Sequence, residues 1–282
     1  VRERGAPEPV PGDDMNAVSA LYRSTIGKKV AMALSGVIYV GYVVVHLGGN
    51  MQFHLGAEWI NDYAHHLQDL PPLVWFTRAV LLVALIVHVW SALSLIRASN
   101  KARATSYKGG HQKFASTSGS KSMRYGGVAL LVFLIWHLLD LTVGVFGGLH
   151  GAVNFYDQAS LGFIRGEVYH NMLISFGSPI SVALYVIAVI ALGLHLFHGV
   201  WSAAQTLGFE SATTGRMWRN LAAFVAGAVI VGNLSFPIAG LLGTTLGFLE
   251  GDTITGHGEK YYGARLPDVA AADTKTDSAG VH

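Results

Sequence analysis

The sequence predicts an all-α membrane protein, a polytopic bundle of five transmembrane helices. Of its 282 residues, 51% are hydrophobic and only 13% are charged, whereas an average soluble domain has about 25% charged residues. Polar segments separate five apolar runs, at residues 30–47, 73–96, 126–146, 179–204 and 221–249. A helix needs about 20 apolar residues to cross roughly 30 Å of hydrocarbon, and each run reaches or nearly reaches that length.

The segments outside these runs are polar. Residues 1–20 are rich in Pro, Gly and charge, which predicts a flexible N-terminal tail, and residues 250–282 predict a polar C-terminal tail. The transmembrane domain is therefore expected at 21–249. Acidic residues interrupt the N-terminal basic region, so we do not expect a signal peptide there. Residues 57–67 have the apolar spacing of a short helix on the membrane surface, and Pro237 predicts a kink near Asn233.

The positive charges predict an orientation in a cell (inner) membrane. The loop at residues 97–124 contains many basic residues and no acidic one, whereas residues 48–72 contain acidic residues and no Lys or Arg. Because cytoplasmic loops are enriched in Lys and Arg, the N-terminus is expected in the cytoplasm and the C-terminus outside. The basic loop could also be a docking surface, although topology alone explains it.

Composition limits the chemistry that the chain can perform. It has no cysteine, which excludes disulfides, zinc–thiolate sites and a self-contained iron–sulfur cluster. The net charge of +2, with no basic block interleaved with aromatic residues, gives no indication of nucleic-acid binding. Thirteen histidines remain as the plentiful transition-metal ligand.

Histidines occur in each of the first four predicted helices. These residues are His46, His88, His137 and His195, with His198 one turn after the last. Ionisable residues inside a membrane are costly and usually functional. One such histidine is equally well explained as a neutral hydrogen-bonding residue, but four on consecutive helices indicate a shared role.

The depths of these histidines place them in two pairs. At 1.5 Å per residue, His46 and His137 lie about 27 and 20 Å from the cytoplasmic side, whereas His88 and His195 lie about 14 Å from it. Two imidazoles facing each other across a bundle are what bis-imidazole haem iron requires. The spacing therefore predicts an outer and an inner redox centre, stacked across the membrane.

Three motifs resemble a known family: HLGGN at 46–50, FLIWH at 133–137 and HLFHGVWSAAQTLG at 195–208. They are similar to the single-chain, five-helix cytochrome b anchor subunits of succinate dehydrogenase and fumarate reductase (respiratory complex II). The resemblance covers about residues 20–248 and is strongest at 201–208.

The resemblance implies an outer and an inner haem b. It assigns His46 with His137 to the outer haem and His88 with His195 to the inner one. His195 is favoured over His198 because of its distance from the following GxW element. His198 is then a propionate partner, a quinone contact or a second candidate ligand. An iron–sulfur cluster completed by partner cysteines is the alternative at the inner pair, since a Rieske-type centre uses two His and two Cys.

The resemblance also implies partners. The chain itself does not oxidise succinate; a flavoprotein and an iron–sulfur subunit would dock on the cytoplasmic face, and electrons would pass through this subunit to quinone. The alternatives are the dihaem anchor of another respiratory reductase, such as a nitrate reductase, and a transporter or cofactor-free anchor. Transporters usually have broken helices in repeated halves, whereas Pro237 has no counterpart elsewhere in the chain.

Two sets of polar residues are candidates for the quinone site. Near the cytoplasmic side, Ser24 and Lys28 share one face of the first helix, although helix capping is the ordinary role of such a serine. His198 is the third candidate at this inner level. On the outer side the candidates are Arg78 and Asp140, together with His54; a structural ion pair between Arg78 and Asp140 is the alternative. We favour the inner set because it lies closest to the docked electron donor.

Overall fold

The computed structural model describes residues 24–102, 118–146, 161–246 and 255. In this part of the chain, five helices are long and apolar enough to span a membrane, which confirms the all-helical, five-span prediction. Most of the predicted N- and C-terminal tails and the middle of the basic loop fall outside the described residues, so the predicted domain limits remain predictions.

In the described part of the chain, two short helices accompany the five membrane helices. In chain order the helices are α1 Thr25–Asn50, α2 Ala57–Gln68, α3 Pro71–Lys101, α4 Ser118–His137, α5 Val168–Phe176, α6 Pro179–Thr206 and α7 Gly215–Leu246. A 3₁₀ turn, Met51–Leu55, joins α1 to α2, and α4 continues as a π-helical segment, Leu138–Val143. The predicted short helix at 57–67 corresponds to α2.

Helix ends coincide with residues that stop or start a helix. Ser24 caps α1, accepting a hydrogen bond from the Gly27 amide at 2.9 Å. Prolines begin α3 and α6, in the first turn, where the missing N–H has no helical partner. Gly144 follows the π-helical segment with a φ of 79°, in the left-handed region that glycine adopts without strain. These signals extend most membrane helices beyond their apolar runs.

The last membrane helix continues through a proline. Pro237 lies inside α7 and is buried; it cannot donate a hydrogen bond to the carbonyl one turn earlier. That carbonyl belongs to Asn233. The side-chain amide of the same residue donates to Val229 O at 2.9 Å. The helix bounds do not test the expected kink, which stays a prediction.

Four membrane helices pack in the order α3–α1–α6–α4. α1 packs against α3 and α6, and α6 packs against α4. α7 packs against α6 and α1. Among the described residues, neither α1 with α4 nor α3 with α6 is a main packing pair, which leaves room between these helices for side chains and for a bound group.

The two short helices close the end of the bundle at which α1 reaches Asn50. We call this the Asn50 end and the opposite one the Ser24 end. Every residue of α5 except Val168 is buried, and α5 packs between α2, α6, α7 and the π-helical segment. The apolar core there includes Phe53, Ile60, Leu173 and Phe176.

Candidate metal centres

The structure brings the four intramembrane histidines together in two pairs. The ring centroids of His46 and His137 are 6.0 Å apart, with an angle of 84° between the ring planes. Those of His88 and His195 are 6.1 Å apart, with an angle of 60°. These are the partners that the depths predicted.

The two pairs lie at different levels of the bundle. His88 Nδ1 lies 3.1 Å from Met32 O, and its ring faces Gly36, where an added Cβ would be 3.4 Å from His88 Cε1. At 1.5 Å per residue, these positions on α1 precede His46 by about 15–20 Å. The second level is therefore nearer the Ser24 end.

Each pair joins two helices that are separated by a third helix in the packing order α3–α1–α6–α4. His46 and His137 are on α1 and α4, and His88 and His195 are on α3 and α6. Glycines flank the second pair: a Cβ on Gly127 of α4 would lie 4.0 Å from His195 Cε1. A cavity of about 250 Å³ opens beside His195, which lines it together with Met123, Tyr125, Gly126, Ala191 and Leu194. Small residues leave room there for a flat group between the helices.

Hydrogen bonds assign the proton on two of the imidazoles. His88 Nδ1 faces Met32 O, so this nitrogen must donate. The side-chain amide of Asn50 donates to His46 Nε2 at 3.2 Å. In both rings Nε2 therefore carries the lone pair that a metal requires. In His46 this lone pair accepts the Asn50 hydrogen bond, which a bound metal would replace.

The Nδ1 atoms of the other two imidazoles have different surroundings. His137 Nδ1 lies 3.2 Å from the Tyr185 hydroxyl, whereas His195 Nδ1 is buried and has no hydrogen-bond partner among the described residues. Buried polar atoms normally have partners, so such an atom in a native structure requires an explanation. A water or a bound group at the His88–His195 level would supply such a partner.

The donor set fits haem better than a bare metal ion. Metal–nitrogen bonds of about 2 Å on both sides of one metal would put two imidazole centroids about 6 Å apart, as both pairs are. No group of three or more His, Cys, Asp or Glu is placed to hold a metal ion in the described part of the chain. Two imidazoles suffice only when the metal brings its other ligands, as haem iron does.

The inner quinone candidates lie at the Ser24 end in three different settings. Ser24 is the cap of α1. Lys28 is half-buried, with its Nζ 5.9 Å from the centroid of the Trp90 ring. His198 is half-buried on α6, one turn beyond His195.

The outer candidates do not form one cluster. Arg78 is exposed and stacks on Trp75, with its guanidinium carbon 5.1 Å from the ring centroid. Asp140 is 4% exposed and accepts hydrogen bonds from Ser175 at 2.7 Å and Tyr185 at 3.2 Å. His54 Nε2 lies 2.8 Å from Ser235 Oγ on α7. The structure thus gives Asp140 hydroxyl partners, and it stacks Arg78 on an aromatic ring.

Several polar residues of this region were not predicted from the sequence. Tyr185 and Ser175 contact Asp140, and Asn61 of α2 bonds the fully buried Glu167 at 2.9 Å. The signal in the sequence that could have found these residues is Glu167, an acidic residue directly before the short apolar stretch that forms α5. That stretch is too short to span a membrane.

The fold and the site define a class, a polytopic membrane protein built around paired intramembrane histidines. The chain is 27% identical over 178 residues to the succinate dehydrogenase cytochrome b558 subunit of Bacillus subtilis (strain 168). The matched region covers 62% of this chain and 77% of the relative. This similarity confirms the resemblance to a cytochrome b subunit of succinate dehydrogenase. No family model and no solved structure matches the chain.

Proposed function

We propose that this chain is the cytochrome b membrane anchor of a succinate:quinone oxidoreductase. It passes electrons from a docked iron–sulfur subunit to quinone, and the succinate chemistry takes place on a partner chain. The observation that carries the proposal is the presence of two imidazole pairs at two depths of one bundle, each with centroids about 6 Å apart. The similarity to a succinate dehydrogenase subunit favours this complex over other respiratory reductases.

The histidine pairs would hold two haem b groups. His46 and His137 would hold the outer one, and His88 and His195 the inner one. Haem supplies a one-electron carrier at each level. The residues of the chain would fix the spacing of the two levels, exclude water from the iron and supply its imidazole ligands.

The depth of the inner pair favours haem over an iron–sulfur cluster. His88 lies opposite Met32, and Met32 is about 12 Å along α1 from Ser24. Cysteines of a docked subunit would have to enter the bundle by that distance to complete a cluster. Haem needs no such intrusion.

The charges of the described residues support an orientation with the Ser24 end in the cytoplasm. Basic residues at that end are Lys28, Lys29, Arg97, Lys101, Arg124, Arg216 and Arg219. The Asn50 end has Glu58, Asp62 and Asp69, with Arg78 and Arg165 as its basic residues. Because cytoplasmic ends are enriched in Lys and Arg, the flavoprotein and iron–sulfur subunits would dock at the Ser24 end of a cell membrane protein.

We place quinone at the inner level, with Ser24, Lys28 and His198 as its candidate contacts. The half-buried ammonium of Lys28 is a hydrogen-bond donor close to the docking face, whereas the Asp140 carboxylate is buried and already accepts hydrogen bonds from two hydroxyl groups. Ser24→Ala and Lys28→Ala should depress quinone reduction while succinate oxidation with an artificial acceptor survives. Normal quinone reduction in both variants, together with its loss in Asp140→Asn, would place the site at the outer level.

Haem content tests the proposed function. The complex purified with its partner subunits should show a reduced-minus-oxidised spectrum of six-coordinate b-type haem, with two haems per chain. His88→Ala and His195→Ala should each remove the same redox component and spare the other, because two ligands serve one iron.

The control is His66→Ala, which removes an exposed histidine of α2 and should keep both haems. A complex without b-type haem would refute the proposal. If His198→Ala removes the inner component and His195→Ala does not, the ligand assignment on α6 is wrong.

A further inference from the structure

The hydrogen bonds of His137 lead to a buried carboxylate. His137 Nδ1 lies 3.2 Å from the Tyr185 hydroxyl, and that hydroxyl donates to Asp140 Oδ2 at 3.2 Å. Tyr185 is 6% exposed and Asp140 is 4% exposed. The hydroxyl and the carboxylate are therefore both buried, while His137 is half-buried. The three groups join α4, its π-helical continuation and α6.

The single proton of the Tyr185 hydroxyl fixes which group donates in each of these hydrogen bonds. A phenol has one proton. Because Tyr185 donates it to Asp140, the Tyr185 oxygen accepts from His137, and Nδ1 of His137 is the protonated nitrogen. The lone pair of His137 is then on Nε2, as it is in His46 and His88.

The carboxylate is itself held in place. Ser175 of α5 donates to the same Oδ2 at 2.7 Å, and Ser181 Oγ lies 2.9 Å from Ser175 Oγ. Asp140 belongs to the π-helical segment Leu138–Val143, and such wide turns are found frequently at functional sites. The backbone and two neighbouring helices together fix the position of this carboxylate.

The Tyr185 ring is also fixed. It packs edge-to-face against Phe133, with centroids 5.1 Å apart, and against Phe176, with centroids 5.0 Å apart. Its hydroxyl therefore has a single direction, towards His137 and Asp140. A rigid ring is what a residue that orients another side chain requires.

We propose that Tyr185 and Asp140 are positioning residues that orient His137 and increase electron donation from its Nε2 to the outer centre. This proposal rests on the proposed function, in which His46 and His137 hold a metal. Histidines that ligate metals commonly donate their other N–H to a carboxylate or carbonyl; this raises their basicity, and losing the partner typically costs 10–100-fold in metal affinity or activity. His88 donates to a neutral backbone carbonyl instead, so the effect is confined to the outer centre.

The test is a redox titration of the purified complex, with the electron paramagnetic resonance (EPR) spectrum of the ferric haems as a second readout. Tyr185→Phe keeps the ring and removes the hydroxyl. The midpoint potential of the outer component should rise, because a less basic imidazole stabilises ferric iron less; each tenfold change in the ferric-to-ferrous ratio corresponds to about 59 mV. Asp140→Asn should shift it in the same direction, and the inner component should not change.

Tyr39→Phe is the matched control. It removes a tyrosine hydroxyl that donates to Leu81 O at 2.7 Å inside the membrane and that contacts no histidine of either pair. Both potentials and both EPR signals should stay as in the wild type. A shift equal to that of Tyr185→Phe would attribute the effect to packing and overturn the proposal.

The outcomes separate this proposal from the proposed function. A wild-type complex without an outer haem component overturns both together. A wild-type complex with two components, in which Tyr185→Phe lowers thermal stability but leaves both potentials and EPR signals unchanged, overturns the positioning role alone. If Asp140→Asn does not fold, Tyr185→Phe, which preserves the ring packing, tests the positioning role by itself.

Discussion

Asn61 connects α2 to α5, and replacing it with alanine should destabilise the Asn50 end of the bundle. Its side chain is fully buried; it donates to Glu167 Oε2 at 2.9 Å and accepts from the Tyr169 amide at 3.0 Å. Tyr169 is in the first turn of α5, where backbone amides have no helical partner. Asn61 thus caps α5 from a different helix.

The expected loss follows from these bonds. A missing cap costs about 0.5–2 kcal/mol, and a lost hydrogen bond to a charged group costs about 1.5–3 kcal/mol. Alanine recovers roughly half a kcal/mol through its higher helix propensity, and Thr255 still donates its amide to Glu167 Oε2 at 2.9 Å. We therefore expect Asn61→Ala to lower the free energy of unfolding by about 2–4 kcal/mol.

Thermal and detergent-induced unfolding of the purified complex would measure this loss. Gln68→Ala is the matched control, because it removes an exposed polar side chain from the same helix and should change the free energy of unfolding by less than about 0.5 kcal/mol. A change in Asn61→Ala no larger than in the control would show that the buried network contributes nothing to stability.

Three further predictions follow from packing and charge. Gly36→Leu should remove the inner haem component and keep the outer one, because the new side chain enters the space beside His88; retention of both haems would contradict this. Gly240→Ala should lower the free energy of unfolding by about 1–3 kcal/mol, because its Cβ would lie 2.6 Å from Phe176 Cβ, whereas Gly227→Ala, with no atom within 4 Å, should not. A reporter active only in the cytoplasm should be silent when fused to the C-terminus, and its activity would reverse the proposed topology.

The sequence was sufficient to predict the spans and the histidine partners. Apolar length alone determines whether a helix can cross the membrane, and the fixed rise per residue converts position into depth. These two rules placed His88 at the level of His195, and the structure brings their rings within 6.1 Å.

The contacts around each histidine could not be predicted in the same way. Depth along a helix leaves its rotation undetermined, and the Tyr185 contact with His137 joins residues on two helices whose rotations depend on tertiary packing. α5 is nine residues long, so neither the length criterion for a span nor an amphipathic pattern identified it. The quinone candidates show the same limit, since Arg78 and Asp140 have similar depths but different partners.

The location of iron in the purified complex tests the central claim most directly. Anomalous diffraction at the iron absorption edge should show two iron atoms within this chain, one between His46 and His137 and one between His88 and His195. Along the bundle axis they should be separated by about 15–20 Å, the rise of α1 between the two levels. An iron atom within this chain but away from these pairs, or no iron between one of the pairs, would contradict the account.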